Sequence, residues 1–250
     1  MQLNLNGKIA LVTGSSKGIG KAIATKLHSE GCKLVLNARN IEQLNLAKAD
    51  LSGAIAVAGD VTQIEEARRI VSEVVNAFGS LDILVCNVGS GKSVPPGNET
   101  YDEWQRVFAL NLWSTTNIVE SAKEALIASK GVIVCISSIC GIEVVPNAPV
   151  TYSAAKAALH AYVKGTSRPL GKQGVRINAI APGNILFDNS VWSQKLAENE
   201  KAVCDILKND VSLGTLGEPS DVANLVAFLA SSQSKFASGG IWTLDGGQIH

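Results

Sequence analysis

The feature that most constrains this chain is a regular beat of short apolar runs. KIALVTG (8–14), KLVLNA (33–38), AIAVAGD (54–60), LDILVCN (81–87), GVIVCIS (131–137), VRINAIA (175–181) and GIWTLDG (240–246) read as seven strands. Several are apolar on consecutive positions, as expected of strands buried on both faces. Between them lie segments with helical spacing: Ile19 to Glu30, Ile64 to Phe78, Trp104 to Lys130, Tyr152 to Leu170 and Asp221 to Leu229. Strands alternating with helices of this length predict right-handed crossovers, hence an α/β fold with a doubly wound sheet of about seven parallel strands. No low-complexity linker, repeat or charge block interrupts the 250 residues, so one domain spanning 1–250 is expected.

Two stretches break the rhythm. GSGKSVPPGNET (89–100) is loop-like, and a longer excursion after the sixth strand, about 184–218, carries helical patterning only over Val191 to Asn209. Ligands bind outside the carboxyl ends of strands in open parallel sheets, which makes both stretches candidates for a substrate wall. Composition narrows the partners. Lys plus Arg equals Asp plus Glu at 22 each, so the chain lacks the basic balance that nucleic acid demands. Hydrophobic residues at 46% against 18% charged exclude a largely disordered chain. The five cysteines (Cys32, Cys86, Cys135, Cys140, Cys204) are scattered without a CxxC, which argues against a disulfide framework or zinc site and fits a reducing cytoplasm. Three dispersed histidines make no metal cluster, so no metal is expected. There is no basic region ahead of an apolar stretch at the N-terminus and no run of 18 apolar residues, so neither a secretory signal nor a membrane span is expected.

TGSSKGIG (13–20) follows the first strand and opens the first helix. Gly14, Gly18 and Gly20, with Ile19 between the last two, permit a tight turn that aims helix N–H groups at a pyrophosphate. The spacing is GxxxGxG, not the commoner GxGxxG. The second strand ends KLVLNARN, where Arg39 stands and no acid is found to hold ribose hydroxyls. Lys17 and the Ser16 hydroxyl add a cation and a donor. Such a set suits the 2′-phosphate of NADP(H), which is expected ahead of NAD(H).

Tyr152 and Lys156 stand four apart in YSAAK, on one helix face. A phenol with an ordinary pKa near 10 works poorly as an acid or base near neutrality, and a neighbouring ammonium is expected to lower it. In ISS (136–138), Ser138 ends the fifth strand, where its hydroxyl could bond a carbonyl oxygen as negative charge builds there.

Together these residues resemble the short-chain dehydrogenase/reductase family in its form of about 250 residues, along essentially the whole chain. The markers occur in order: Thr13 to Gly20, Asp60-Val61, Cys86-Asn87-Val88-Gly89 in place of NNAG, Asn111, Ser138, YxxxK, Pro182-Gly183 and the DGG at 245–247. The resemblance implies a Rossmann-like fold and a catalytic tetrad of Asn111, Ser138, Tyr152 and Lys156. Tyr152 would be the proton donor in reduction and Ser138 would orient the carbonyl. Lys156 would lower the tyrosine pKa and bind the nicotinamide ribose, while Asn111 would hold a water joining Lys156 to solvent. Asp60 and Val61 would contact adenine, Asn87 and Gly89 the adenosine ribose side, and Pro182, Gly183 and Ile185 the nicotinamide. The family further implies a homo-oligomer, tetramer or dimer, packed through the fourth and fifth helices and the C-terminal segment.

The chain departs from the pattern at Cys86 and Val88, and it lacks the threonine often found after Pro-Gly, whose contact Asn189 or Ser190 would replace. Ser137 is an alternative to Ser138, and Pro169 is expected to end or kink its helix. The expected activity is NADPH-dependent carbonyl reduction, or its reverse, on a small-molecule or carrier-bound substrate. A 3-oxoacyl thioester is one option; a sugar or polyol, suggested by Asn184, Asp188 and Asn189, is another. An inactive nucleotide-binding scaffold and the epimerase chemistry of the family's longer form are the contrasting readings.

Overall fold

Strand β1 (Ile9–Thr13) is buried along its whole length, and its side chains divide two cores. Ala10 and Val12 pack into one, Ile9 and Leu11 into the other. This follows from the period of two along a strand whose two faces are both covered. The computed structural model describes residues 2–249. Beside β1 lie β2 (Lys33–Ala38), β3 (Ile55–Ala58), β4 (Ile83–Cys86), β5 (Val132–Ile136), β6 (Arg176–Pro182) and β7 (Ile241–Leu244), all parallel, in the order β3-β2-β1-β4-β5-β6-β7. The order reverses at β1, where β2 pairs on one side and β4 on the other, and that reversal opens a crevice at the strands' carboxyl ends.

Helices α1 (Gly18–Ser29), α2 (Ile41–Lys48) and α8 (Pro219–Ala230) contribute to the first core. Helices α3 (Ile64–Phe78), α5 (Ser114–Ser129) and α6 (Val150–Lys172) contribute to the second. Helix α3 shows the rule: Ala67, Ile70, Val71 and Val74 recur at helical spacing and are buried. Each such large side chain removed from water stabilises the fold by about 1.5–3 kcal/mol. Among the described residues no helix is long and apolar enough to cross a membrane.

The structure differs from the sequence reading in four places. Helix α2 was not foreseen: only Leu44 and Ala47 of it are buried while Leu46 is exposed, so no apolar stripe marks it, and Asn40 starts it by accepting from the Gln43 N–H. The segment 104–130 is not one regular helix. Helix α4 (Tyr101–Phe108) passes through a π-turn (Ala109–Trp113) into α5. Pro169 does not end α6, which continues to Lys172; the lost bond is the one to the Gly165 carbonyl, and the burial of Leu170 holds the last turn. Helix α7 (Val191–Asp210), in the excursion, is broken at Asn199 (φ −158°, ψ 84°), whose side chain caps the second half by accepting from the Ala202 N–H.

Candidate active site

A cavity of about 1170 Å³ runs along the carboxyl ends of the strands. Of the site residues singled out from sequence, all but Gly18, Asn111 and Asp188 line it. Asn111 is fully buried behind the wall, and Gly18 is covered by the Phe187 ring. Asn189, Ser190 and Ser137 line it too. The excursion after β6 therefore reaches back to the glycine loop.

That loop is held from beneath. The Asn87 side-chain amide donates to the carbonyls of Thr13 (3.1 Å) and Gly14 (3.0 Å), and the Thr13 hydroxyl donates to the Val85 carbonyl. Asn87 thus fixes the loop between β1 and β4. A Cβ at Gly20 would strike the Gly14 carbonyl and come within 2.5 Å of the Asn87 amide nitrogen, so only glycine lets α1 start this close to its strand. The first intrahelical bond runs from Lys21 to Lys17, which leaves the N–H groups of Gly18, Ile19 and Gly20 facing outward at the positive end of α1. This cradle fits a dinucleotide pyrophosphate. At the far end Lys17, Ser16 and Arg39 line the same wall. The turn after β3 is shaped by Asp60, whose carboxylate accepts from the N–H and hydroxyl of Thr62, and Asn117 of α5 donates to the carbonyls of Val61 and Thr62. Sequence reasoning missed Asn117, which no motif marks.

The other end gathers the reactive groups. Tyr152 stands in the first turn of α6 and Lys156 one turn later, 3% exposed, with its ammonium donating to the Ile136 carbonyl at 3.0 Å. The ammonium lies 5.8 Å from the Tyr152 ring centroid. Ser138 caps a 3-10 turn (Ile139–Gly141), accepting from the Cys140 N–H. The hydroxyl of Ser137, the alternative to it, lies 2.6 Å from the His160 ring. Asn111, in the π-turn, pairs with Ser90 in both directions: its oxygen accepts from the Ser90 N–H and its nitrogen donates to the Ser90 and Val107 carbonyls. The π-turn swings this amide toward the β4 loop. A Cβ on Gly89 would lie 2.9 Å from the Asn111 oxygen and 3.2 Å from the Lys156 ammonium, so both groups close on a point that only glycine leaves open.

The expected lowering of the tyrosine pKa is not what the surroundings produce. Burial pushes the Tyr152 phenol up to about 12, and the Ser138 hydroxyl beside it opposes that rise. Burial likewise pulls the Lys156 ammonium down to about 8. Desolvation dominates both groups because neither charge has an ionised partner at contact. The arrangement presents a protonated phenol beside a serine hydroxyl at a cavity wall: an acid and a hydrogen-bond donor aimed at one region.

Comparison with known proteins agrees with this geometry. A family model described as Enoyl-(Acyl carrier protein) reductase matches residues 14–248. The chain belongs to the short-chain dehydrogenase/reductase family. This short-chain dehydrogenase/reductase is 34% identical over 255 residues to an uncharacterized oxidoreductase of Mycobacterium bovis, with 98% of both chains covered. It is 32% identical over 249 residues to the 3-oxoacyl-acyl-carrier-protein reductase FabG of Rickettsia bellii, covering 99% of both. The solved L-sorbose reductase of Gluconobacter frateurii, complexed with NADPH and L-sorbose, superposes with a TM-score of 0.92 at 28% identity, covering 99% of this chain and 98% of that one. As a family member the protein is an oxidoreductase with a Rossmann-like sheet.

Proposed function

We propose that the protein is an NADPH-dependent carbonyl reductase in which Tyr152 donates the proton to the carbonyl oxygen. The convergence of Ser138, Tyr152 and Lys156 on one wall of the cavity, with Asn111 behind it, carries this reading. Bound at the glycine loop, NADPH supplies the hydride. The N–H groups of Gly18 to Gly20 would hold its pyrophosphate, and Lys17, Ser16 and Arg39 its 2′-phosphate. Ser138 donates a hydrogen bond to the substrate oxygen and fixes it beside the phenol. A phenol raised to about 12 holds its proton at neutral pH and gives it up reluctantly, so donation depends on the Lys156 ammonium to stabilise the phenolate. As the proton leaves, the Lys156 ammonium stabilises the phenolate, and the same lysine would bind the nicotinamide ribose.

The substrate wall suits a small polar carbonyl compound such as a ketose. Ser90, Asn184, Asn189, Lys195 and Asn209 line it, with Trp192 as its broad apolar face. The sorbose reductase neighbour supports this class. The 32% identity to FabG favours a second reading, a 3-oxoacyl thioester. Purified protein with NADPH and a panel of ketoses and 3-oxoacyl thioesters separates the two by relative kcat/KM. Tyr152→Phe is expected to lower turnover by about 10²- to 10⁴-fold while NADPH binding stays within twofold. Retained turnover refutes the assignment.

A further inference from the structure

Every fourth residue on one face of α6 reaches the segment 136–141: Tyr152, Lys156 and then His160. The third has no part in the reaction above. His160 is 6% exposed, with Nδ1 3.1 Å from the Gly141 carbonyl and Nε2 2.6 Å from the Ser137 hydroxyl. A carbonyl can only accept, so Nδ1 carries the proton; the neutral ring then accepts at Nε2 from the Ser137 hydroxyl. Burial favours that neutral form, as do the nearby ammonium groups of Lys156 and Lys164, while the Gly141 carbonyl opposes them. These two bonds grip the residues on either side of Ser138. Ser137 precedes it, and the Gly141 N–H closes the turn by donating to the Ser138 carbonyl at 3.1 Å. The turn lies flat on the helix, for a Cβ at Gly141 would come within 2.6 Å of the Lys156 backbone and 2.8 Å of the His160 ring.

We infer that His160 is a positioning residue for carbonyl reduction: by tying Ser137 and Gly141 to α6 it holds the Ser138 hydroxyl in register with the Tyr152 phenol on the same helix. The inference rests on the proposed roles of Ser138 and Tyr152. It concerns kcat and not cofactor binding, because neither bond touches the glycine loop. A hydroxyl displaced by about 1 Å loses on the order of 10²-fold in rate.

The test compares His160→Phe, which keeps a ring of similar size but neither bond, with His160→Gln, whose amide can again reach Ser137, and with Ser137→Ala. NADPH affinity is read by cofactor fluorescence, and kcat and KM on the best carbonyl of the panel. His160→Phe is expected to lose at least tenfold in kcat with NADPH affinity within twofold, and His160→Gln to recover at least a third of the wild-type kcat. Ser137→Ala in the His160→Phe background is expected to add less than twofold, since one link is already gone. Wild-type kcat in His160→Phe overturns the inference, as does a parallel loss of kcat and NADPH affinity across all three variants. If His160→Phe does not fold, Ser137→Ala and His160→Gln decide alone: unchanged kcat in Ser137→Ala refutes the link. Full turnover in Tyr152→Phe sinks the underlying reading and this one together, whereas the outcomes above sink this one by itself.

Discussion

The two ends of the cavity are built from different material. At the glycine loop the proposed pyrophosphate donors are backbone N–H groups, and the Asn87 side chain holds the loop from behind. At the opposite end the proposed reacting groups are themselves side chains, fixed by their places on α6 and at the end of β5. Beyond these, the wall passes to the excursion after β6, where α7 buries only Val203. On the proposed reading, recognition of the cofactor is written into the packing of the sheet, and reaction geometry into one helix face. On the same reading, substrate choice falls to segments with little core of their own. Perturbing each part should give distinct signatures.

The largest effect is expected where backbone and reacting side chains meet. Gly89→Ala places a Cβ against the Asn111 oxygen and the Lys156 ammonium. Asn111 is tied by three hydrogen bonds and cannot give way cheaply. Turnover should fall by about a hundredfold or more. Steady-state kinetics check this, and a variant with near wild-type kcat would mean that the two groups are freer than their bonding indicates.

Next comes the adenosine end. Arg39→Ala removes one charged donor, worth about 1.5–3 kcal/mol to a phosphate, so NADPH affinity should weaken by roughly ten- to a hundredfold with kcat little changed. NADH affinity should stay the same. Equal loss for both cofactors would show that Arg39 contacts something other than a 2′-phosphate.

A pH experiment sharpens the contrast at the reactive end. Lys156 falls from 10.5 to about 8 on folding, so between those values the unfolded chain still binds a proton that the folded protein has shed. Its contribution to stability therefore rises with pH across about 8 to 10.5 and is flat below. Denaturant unfolding of wild type and Lys156→Met at steps through that window should show the increment in the wild type alone. A difference that shrinks as pH rises contradicts burial as the dominant influence on this lysine.

Much of this was readable beforehand, for physical reasons. Strands buried on both faces leave unbroken apolar runs, and Val12, Leu36 and Val85 duly lie side by side in the sheet. The glycine loop and YxxxK are local in sequence, so their spacing is visible. Contacts that close through space left no such trace. Asn117 reaches the Asp60 turn across about 55 positions, and His160 meets Ser137 across 23. Three dispersed histidines carry no metal pattern, and nothing local in the sequence marks His160 as reaching Ser137. Sequence shows that an ammonium is near the tyrosine but not how deeply both groups are buried, and burial is what raises the phenol. Pro169 does not stop α6, because the buried Leu170 after it keeps the last turn packed.

The smallest expected effect tests the weakly buried wall. Asn199 breaks α7 and caps its second half through one side-chain bond of 3.0 Å to the Ala202 N–H. Asn199→Ala removes that cap, a loss of about 1 kcal/mol to the helix it starts. Were α7 one cooperative unit with the sheet, the same energy would lower Tm by about 2–4 °C, as for other proteins of 150–250 residues. A segment anchored chiefly by Val203 should open on its own instead. Amide exchange should then quicken from about residue 200 to 210 while Tm stays nearly constant and NADPH affinity is untouched. Because Asn209 and Lys208 of that half line the substrate wall, KM for a polar carbonyl should rise a fewfold with kcat preserved. A full drop in Tm without faster local exchange would show that the excursion folds with the core, and that the division between a rigid cofactor end and a loosely held substrate end is wrong.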